Sequence, residues 1–91
     1  MPAKVKVRLF NELRETIGQS ELEMDANTLS DVVESLIDRQ GSLRNLFFDP
    51  KGSLRGYIQF YLNNKVQSPP NLATKLNNGD LVLLIPPTAG G

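Results

Sequence analysis

Apolar and polar positions alternate without a break through KVKVRL (residues 4–9). Val5, Val7 and Leu9 fall on one side of an extended chain, and Lys4, Lys6 and Arg8 on the other. That period of two predicts a strand with one buried and one solvated face. NELRETI (11–17) predicts a helical turn or two stopped by Gly18. SELEM (20–24) alternates again with Leu22 and Met24 inward, a short strand pairing back on the first. The period then changes. Leu29, Val32, Val33, Leu36 and Ile37 recur at helical spacing and form one apolar stripe. Thr28 stands at the N-cap, and Asp31 three residues on gives a capping-box-like start near the positive helix end. Gly41 is expected to end this helix. Asp31, Glu34, Ser35, Asp38 and Arg39 occupy the opposite side, the mark of a helix lying on a sheet.

SLRNLFFDPKGSLRG (42–56) is ambiguous. Leu43, Leu46 and Phe47 fit a short second helix, and DPKG reads as a turn with Pro50 at its second position; the structure of 42–55 stays open. YIQFYLNNKVQ (57–67) predicts two strands around Asn63-Asn64, since asparagine tolerates positive φ in a hairpin turn. SPP breaks the hairpin, NLATKL is irregular, and NNGD (77–80) turns the chain into LVLLI (81–85). That last run is apolar at every position and so predicts a strand buried on both faces, in the middle of a sheet. The element order gives an α+β domain: a mixed sheet of about five strands with one main helix packed on one face.

Composition narrows the chemistry. Ninety-one residues make one domain. The chain has no cysteine and no histidine, which removes disulfides, thiolate nucleophiles, ordinary zinc, haem and iron–sulfur ligands and the commonest general base. No carboxylate spacing suggests a hard-cation loop, so no metal site and no catalytic residue are assigned. Ten Lys and Arg balance ten Asp and Glu, with the signs interspersed. No basic run would neutralise a phosphate backbone, and nucleic acid is not an expected partner. The amino end lacks the continuous apolar core of a signal peptide or membrane span. The expectation is a cytoplasmic protein with no membrane partner.

The carboxyl end concentrates the remaining signal. Pro86 and Pro87 have no amide hydrogen, so strand pairing should end at Ile85. Residues 1–85 are expected to form the domain and 86–91 a flexible tail. A Pro-Pro segment is stiff and extended, so threading it into a partner loses less freedom. Its reach from Pro86 to Gly91 is on the order of 20 Å. Without Cβ atoms, Gly90 and Gly91 fit a narrow channel, and Gly91 carries the least hindered acyl carbon available. A carboxylate is a poor electrophile, so a partner must activate it, most simply with ATP, before a thiol, persulfide or amine attacks. Two terminal glycines arise by chance in about one chain in two hundred. The pair gains weight from the central strand and the Pro-Pro stop before it.

The sequence resembles the ubiquitin-like β-grasp sulfur carriers, a family that includes the small subunit of molybdopterin synthase and the small archaeal modifier proteins. The matching pieces are VKVRLFNELRETIG, TLSDVVESLID, GYIQFYLNNKV and LNNGDLVLLIPPTAGG, which cover most of the chain in the family's order. The resemblance implies a β-grasp fold and adenylation of Gly91 by an E1-like enzyme that consumes ATP; no bound cofactor is implied for the chain itself. Conversion to a thiocarboxylate, or an isopeptide bond to lysines of target proteins, would follow. Gly90, Ala89, Thr88, Pro87 and Pro86 would thread the enzyme's channel, and the large subunit of a molybdopterin synthase is a further implied partner. The family register puts Val82 and Leu84 under the helix and Leu81, Leu83 and Ile85 outside. It turns Ile58, Phe60 and Leu62 inward and Tyr61 outward. Leu83, Ile85 and Tyr61, with Lys6 and Arg8, would form the docking surface. Phe10, Phe47 and Phe48 are expected in the core, and Arg39, Arg44 and Arg55 in solvent.

Three functions fit. The chain is a sulfur carrier, a protein modifier, or a non-covalent binding domain of the same fold with an inert tail. The first two share the activated Gly91 and are not separable by sequence. Both together is the favoured reading.

Overall fold

The computed structural model describes residues 2–87. Strand β1 (Lys4–Leu9) is followed by helix α1 (Asn11–Ile17), which Gly18 closes in the left-handed region at φ 86°. Strand β2 (Glu21–Asp25) pairs antiparallel with β1, setting Val5 opposite Met24 and Val7 opposite Leu22. Helix α2 (Leu29–Arg39) begins with a complete capping box: the Thr28 side chain accepts from the Asp31 amide, and the Asp31 carboxylate accepts from the Thr28 amide. Gly41 does not cap the helix as expected. Gln40 closes it in extended backbone, and Gly41 opens a separate 3₁₀ turn (Gly41–Leu43) that runs into the short helix α3 (Arg44–Phe47).

The ambiguous segment is thus half helical and half loop. Its loop is tied at both ends by a bridge between Phe48 and Leu54. Inside it the Asp49 carboxylate accepts from the Lys51 and Ser53 amides at 2.9 and 3.0 Å, and the Gly52 amide closes the DPKG turn on the Asp49 carbonyl. Arg55, expected in solvent, instead donates through Nε to the carbonyls of Asn45 and Phe48. It fastens α3 to the chain that leaves it.

The hairpin of β3 (Gln59–Leu62) and β4 (Lys65–Gln67) turns at Asn63 and Asn64, both at positive φ. Strand β5 (Leu81–Ile85) then inserts between β1, to which it is parallel, and β3, to which it is antiparallel. The order across the sheet is β2-β1-β5-β3-β4. The irregular stretch before β5 has a structural task. The Leu29 and Ser30 amides, which have no partner within α2, donate to the carbonyls of Thr74 and Leu72.

The inward positions of β1, β2 and β5, with Ile58 and Phe60, belong to one core with α2. Val5, Val7, Leu9, Leu22, Met24, Ile58, Phe60, Val82 and Leu84 pack there with Leu29, Val32, Val33, Leu36 and Ile37. Phe47 and Phe60 meet at 6.4 Å between ring centroids and are fully buried. Phe10, Phe48 and Leu62 are only half-buried at its rim. The chain therefore forms the mixed five-stranded β-grasp sheet with its main helix on one face. One detail differs from expectation. Strand β5 is central, yet Leu81, Leu83 and Ile85 on its outer side are half-buried, because the helical layer covers only the side of Val82 and Leu84.

Candidate functional site

Two features of the sheet converge on the carboxyl end. The first is the way the chain leaves β5. Pairing with β1 runs to Leu84 opposite Leu9, and pairing with β3 runs to Ile85 opposite Gln59. Pro86 lies beyond both ladders. Read from sequence as the first residue of the tail, it is buried, and its carbonyl accepts a hydrogen bond from the Asn11 side-chain amide at 2.9 Å. The fold therefore holds Pro86, and Pro87 is the first exposed residue after the strand. Pro87 faces Asn11, Glu12, Arg14 and Glu15 of α1 across an open cleft of about 490 Å³. Thr88, Ala89, Gly90 and Gly91 lie outside the described residues.

The second feature is the outer face of the sheet. The strand registers set Glu21, Arg8, Leu83, Tyr61 and Val66 side by side in one row across all five strands. Directly opposed residues share a face, so the row grades from an acid on β2, through a base on β1, to three apolar side chains on β5, β3 and β4. Three of the five residues expected to dock, Arg8, Leu83 and Tyr61, are brought together here, while Lys6 lies two residues back along β1, opposite Glu23 and Leu81. Ile85 lies on the same face of β5, two residues further toward the exit, opposite Gln59. Leu83 and Pro86 are separated along the strand by roughly 10 Å, at about 3.3 Å per residue.

Arg8 is not a free cation. Its guanidinium Nε is 2.8 Å from a Glu21 carboxylate oxygen, and that hydrogen bond holds the Glu21 carboxyl below its usual range. Val66 was missing from the expected surface, although it is 52% exposed. The signal lay in the hairpin: a turn at Asn63-Asn64 sets Leu62 against Lys65 and therefore Tyr61 against Val66.

Among the described residues, no group of three or more His, Cys, Asp or Glu is placed to hold a metal ion, and no helix is long and apolar enough to cross a membrane. What the geometry offers is a presentation device: an apolar face beside the point where the terminal segment departs from the central strand.

Known proteins share this fold. The model of the ThiS family matches residues 7–91. The sulfur carrier protein CysO of Mycobacterium tuberculosis is 30% identical over 79 residues, spanning 84% of this chain and 85% of that protein. Small archaeal modifier protein 3 of Haloferax volcanii is 29% identical, with 97% of this chain and 99% of that one aligned. The solution structure of small archaeal modifier protein 1 from Methanosarcina acetivorans superposes with a TM-score of 0.82 at 34% identity, covering 100% of this chain and 99% of the other.

Proposed function

Since this chain belongs to the ThiS family, we propose that it is a ubiquitin-like sulfur carrier and protein modifier, a substrate of other enzymes, with Gly91 as its working group. In the first step a carboxylate oxygen of Gly91 attacks the α-phosphorus of ATP on an E1-like partner. Pyrophosphate leaves, and an acyl-adenylate forms. A sulfur nucleophile then displaces AMP. Hydrosulfide gives the terminal thiocarboxylate directly, whereas a donor persulfide gives an acyl disulfide. A second thiol reduces the S–S bond of that acyl disulfide, releasing the thiocarboxylate and leaving a disulfide on the donor. Alternatively, the amine of a target lysine attacks the activated carbonyl and an isopeptide bond replaces the bond to AMP, with loss of the amine's proton. The ATP belongs to the partner. On this reading the protein works in the cytoplasm, and the large subunit of a molybdopterin synthase is one acceptor for the sulfur.

The observation that carries the proposal is the exit from β5. The central strand, paired on both sides, ends at a held proline, so whatever follows is launched from the best-anchored part of the fold. The row of Arg8, Leu83, Tyr61 and Val66 lies beside that exit and supplies a recognition surface of about the right character for an enzyme: an apolar centre and a charged edge.

The test uses the full chain with its cognate activating enzyme, ATP and a sulfur donor. Intact mass should rise by the exchange of one oxygen for sulfur, and removal of Gly90 and Gly91 should abolish the change without unfolding the domain. Denaturing gels of cell extract test conjugation, because covalent adducts survive and docked complexes do not. A terminus that is inert in both assays would return the protein to the class of non-covalent binding domains.

A further inference from the structure

Asn11 sits where β1 turns into α1, and it occupies the left-handed region at φ 54°. A residue with a Cβ adopts that conformation only at a cost, which asparagine bears better than most. The twist sends the chain away from the sheet at Phe10, so β1 has no amide left to pair with the residue after Ile85 on β5. Pro86 is nevertheless buried, and a buried carbonyl without a donor is strongly disfavoured. The Asn11 amide supplies the donor at 2.9 Å, from a position 75 residues away in sequence. It substitutes for the ladder hydrogen bond that β1 no longer provides.

We infer that Asn11 is a positioning residue for the C-terminal segment: by holding the Pro86 carbonyl it fixes the place and direction in which the chain leaves the domain. The consequence for catalysis rests on the carrier function proposed above. A partner that docks on the outer sheet face has its active site at a set distance and angle from that face. A fixed exit delivers the terminus there. A loosened one must be searched for, and this loss falls on the reacting complex rather than on docking.

Two variants separate this role from ordinary fold support. Asn11→Gly removes the donor but suits positive φ better than asparagine, which offsets part of the lost hydrogen bond, so the domain should stay folded with only a small fall in its thermal midpoint. Asn11→Asp keeps the side chain's shape and sets a carboxylate against the carbonyl. In both, the Pro86 carbonyl ¹³C resonance should move upfield of its wild-type position as the hydrogen bond is lost. In ATP–pyrophosphate exchange with the activating enzyme, kcat should fall about five- to tenfold, the size of effect one hydrogen bond gives, with KM for the protein unchanged. A Pro86 resonance unmoved in both folded variants overturns the anchor. A shifted resonance with wild-type kcat overturns its role in activation. If the wild-type chain is itself not adenylated, the carrier function fails, and the Pro86 resonance alone still decides whether Asn11 holds the exit.

Discussion

Tyr61 and Leu83 stand directly opposite one another on the antiparallel β3–β5 ladder, both half-buried, on the face of the sheet turned away from the core. Val66 extends the pair outward on β4, and Arg8 flanks it on β1. Interfaces concentrate their energy in a few central apolar or aromatic side chains ringed by polar ones. Leu83→Ser should therefore weaken binding to the activating enzyme by about tenfold or more, measured by calorimetry, with little change in the denaturation midpoint. Val66→Ser, at the rim, should have a smaller effect. Affinity within twofold of wild type for both would move the docking site elsewhere on the domain.

The neighbouring residue behaves oppositely. Leu84 is fully buried beneath α2, and truncating such a side chain removes its transfer free energy and leaves a cavity. Leu84→Ala should lower stability by about 2–5 kcal/mol, a large share of the roughly 5–15 kcal/mol typical of a small domain. Urea denaturation reads the difference directly. The pair Leu83→Ser and Leu84→Ala thus tests the register itself, since a slip of one residue would exchange their effects.

How much of this was legible in the sequence depends on how local the cause is. The faces of β1 and β2 followed from alternation, and the α2 stripe from its helical period. The centrality of β5 followed from an apolar run, but apolarity on both sides does not distinguish a covered face from one left open, and the outer side proved half-buried. The 42–55 segment could not be read because its shape is set from outside. Arg55 reaches back to the Asn45 and Phe48 carbonyls, and Leu54 bridges Phe48. Two prolines signalled the end of pairing. That the first of them is held by the fold depends on Asn11, at the far end of the sequence, and no local pattern reports such a bond. On the outer sheet face, the neighbourhood of Arg8, Leu83 and Tyr61 was legible, but the place of Val66 needs the hairpin register to be carried one strand further.

The Arg8–Glu21 pair makes a pH-dependent contribution whose sign is fixed. Glu21 has its pKa lowered, first by the hydrogen bond from Arg8. A carboxyl depressed in the folded state favours folding above its unfolded pKa of about 4.3, and the benefit disappears as pH falls through the folded value. Both side chains are substantially exposed, so the effect on stability is small and weakens with salt. NMR titration should give Glu21 a midpoint below that of an ordinary glutamate, and Arg8→Gln should raise it. An unchanged Glu21 midpoint in the variant would show that the ion pair does not persist in solution.

Asn63 and Asn64 share a turn and a positive φ, at 50° and 71°, yet glycine should act differently at the two positions. The Asn63 side chain accepts from the Leu81 amide and donates to the Asp80 carboxylate, each at 2.9 Å, while its backbone amide donates to the Leu81 carbonyl. It clamps the first residue of β5 from two sides. Asn64 is exposed, and among the described residues its side chain makes no such bond. Asn64→Gly relieves the left-handed strain and loses little, so stability should stay within about 0.5 kcal/mol of wild type. Asn63→Gly relieves the same strain but removes two side-chain bonds, for a loss of about 1–2 kcal/mol. Hydrogen exchange at the Leu81 amide should quicken in Asn63→Gly and not in Asn64→Gly. Equal stability losses at both positions would mean that the turn conformation, and not the clamp on Leu81, is what the asparagines provide.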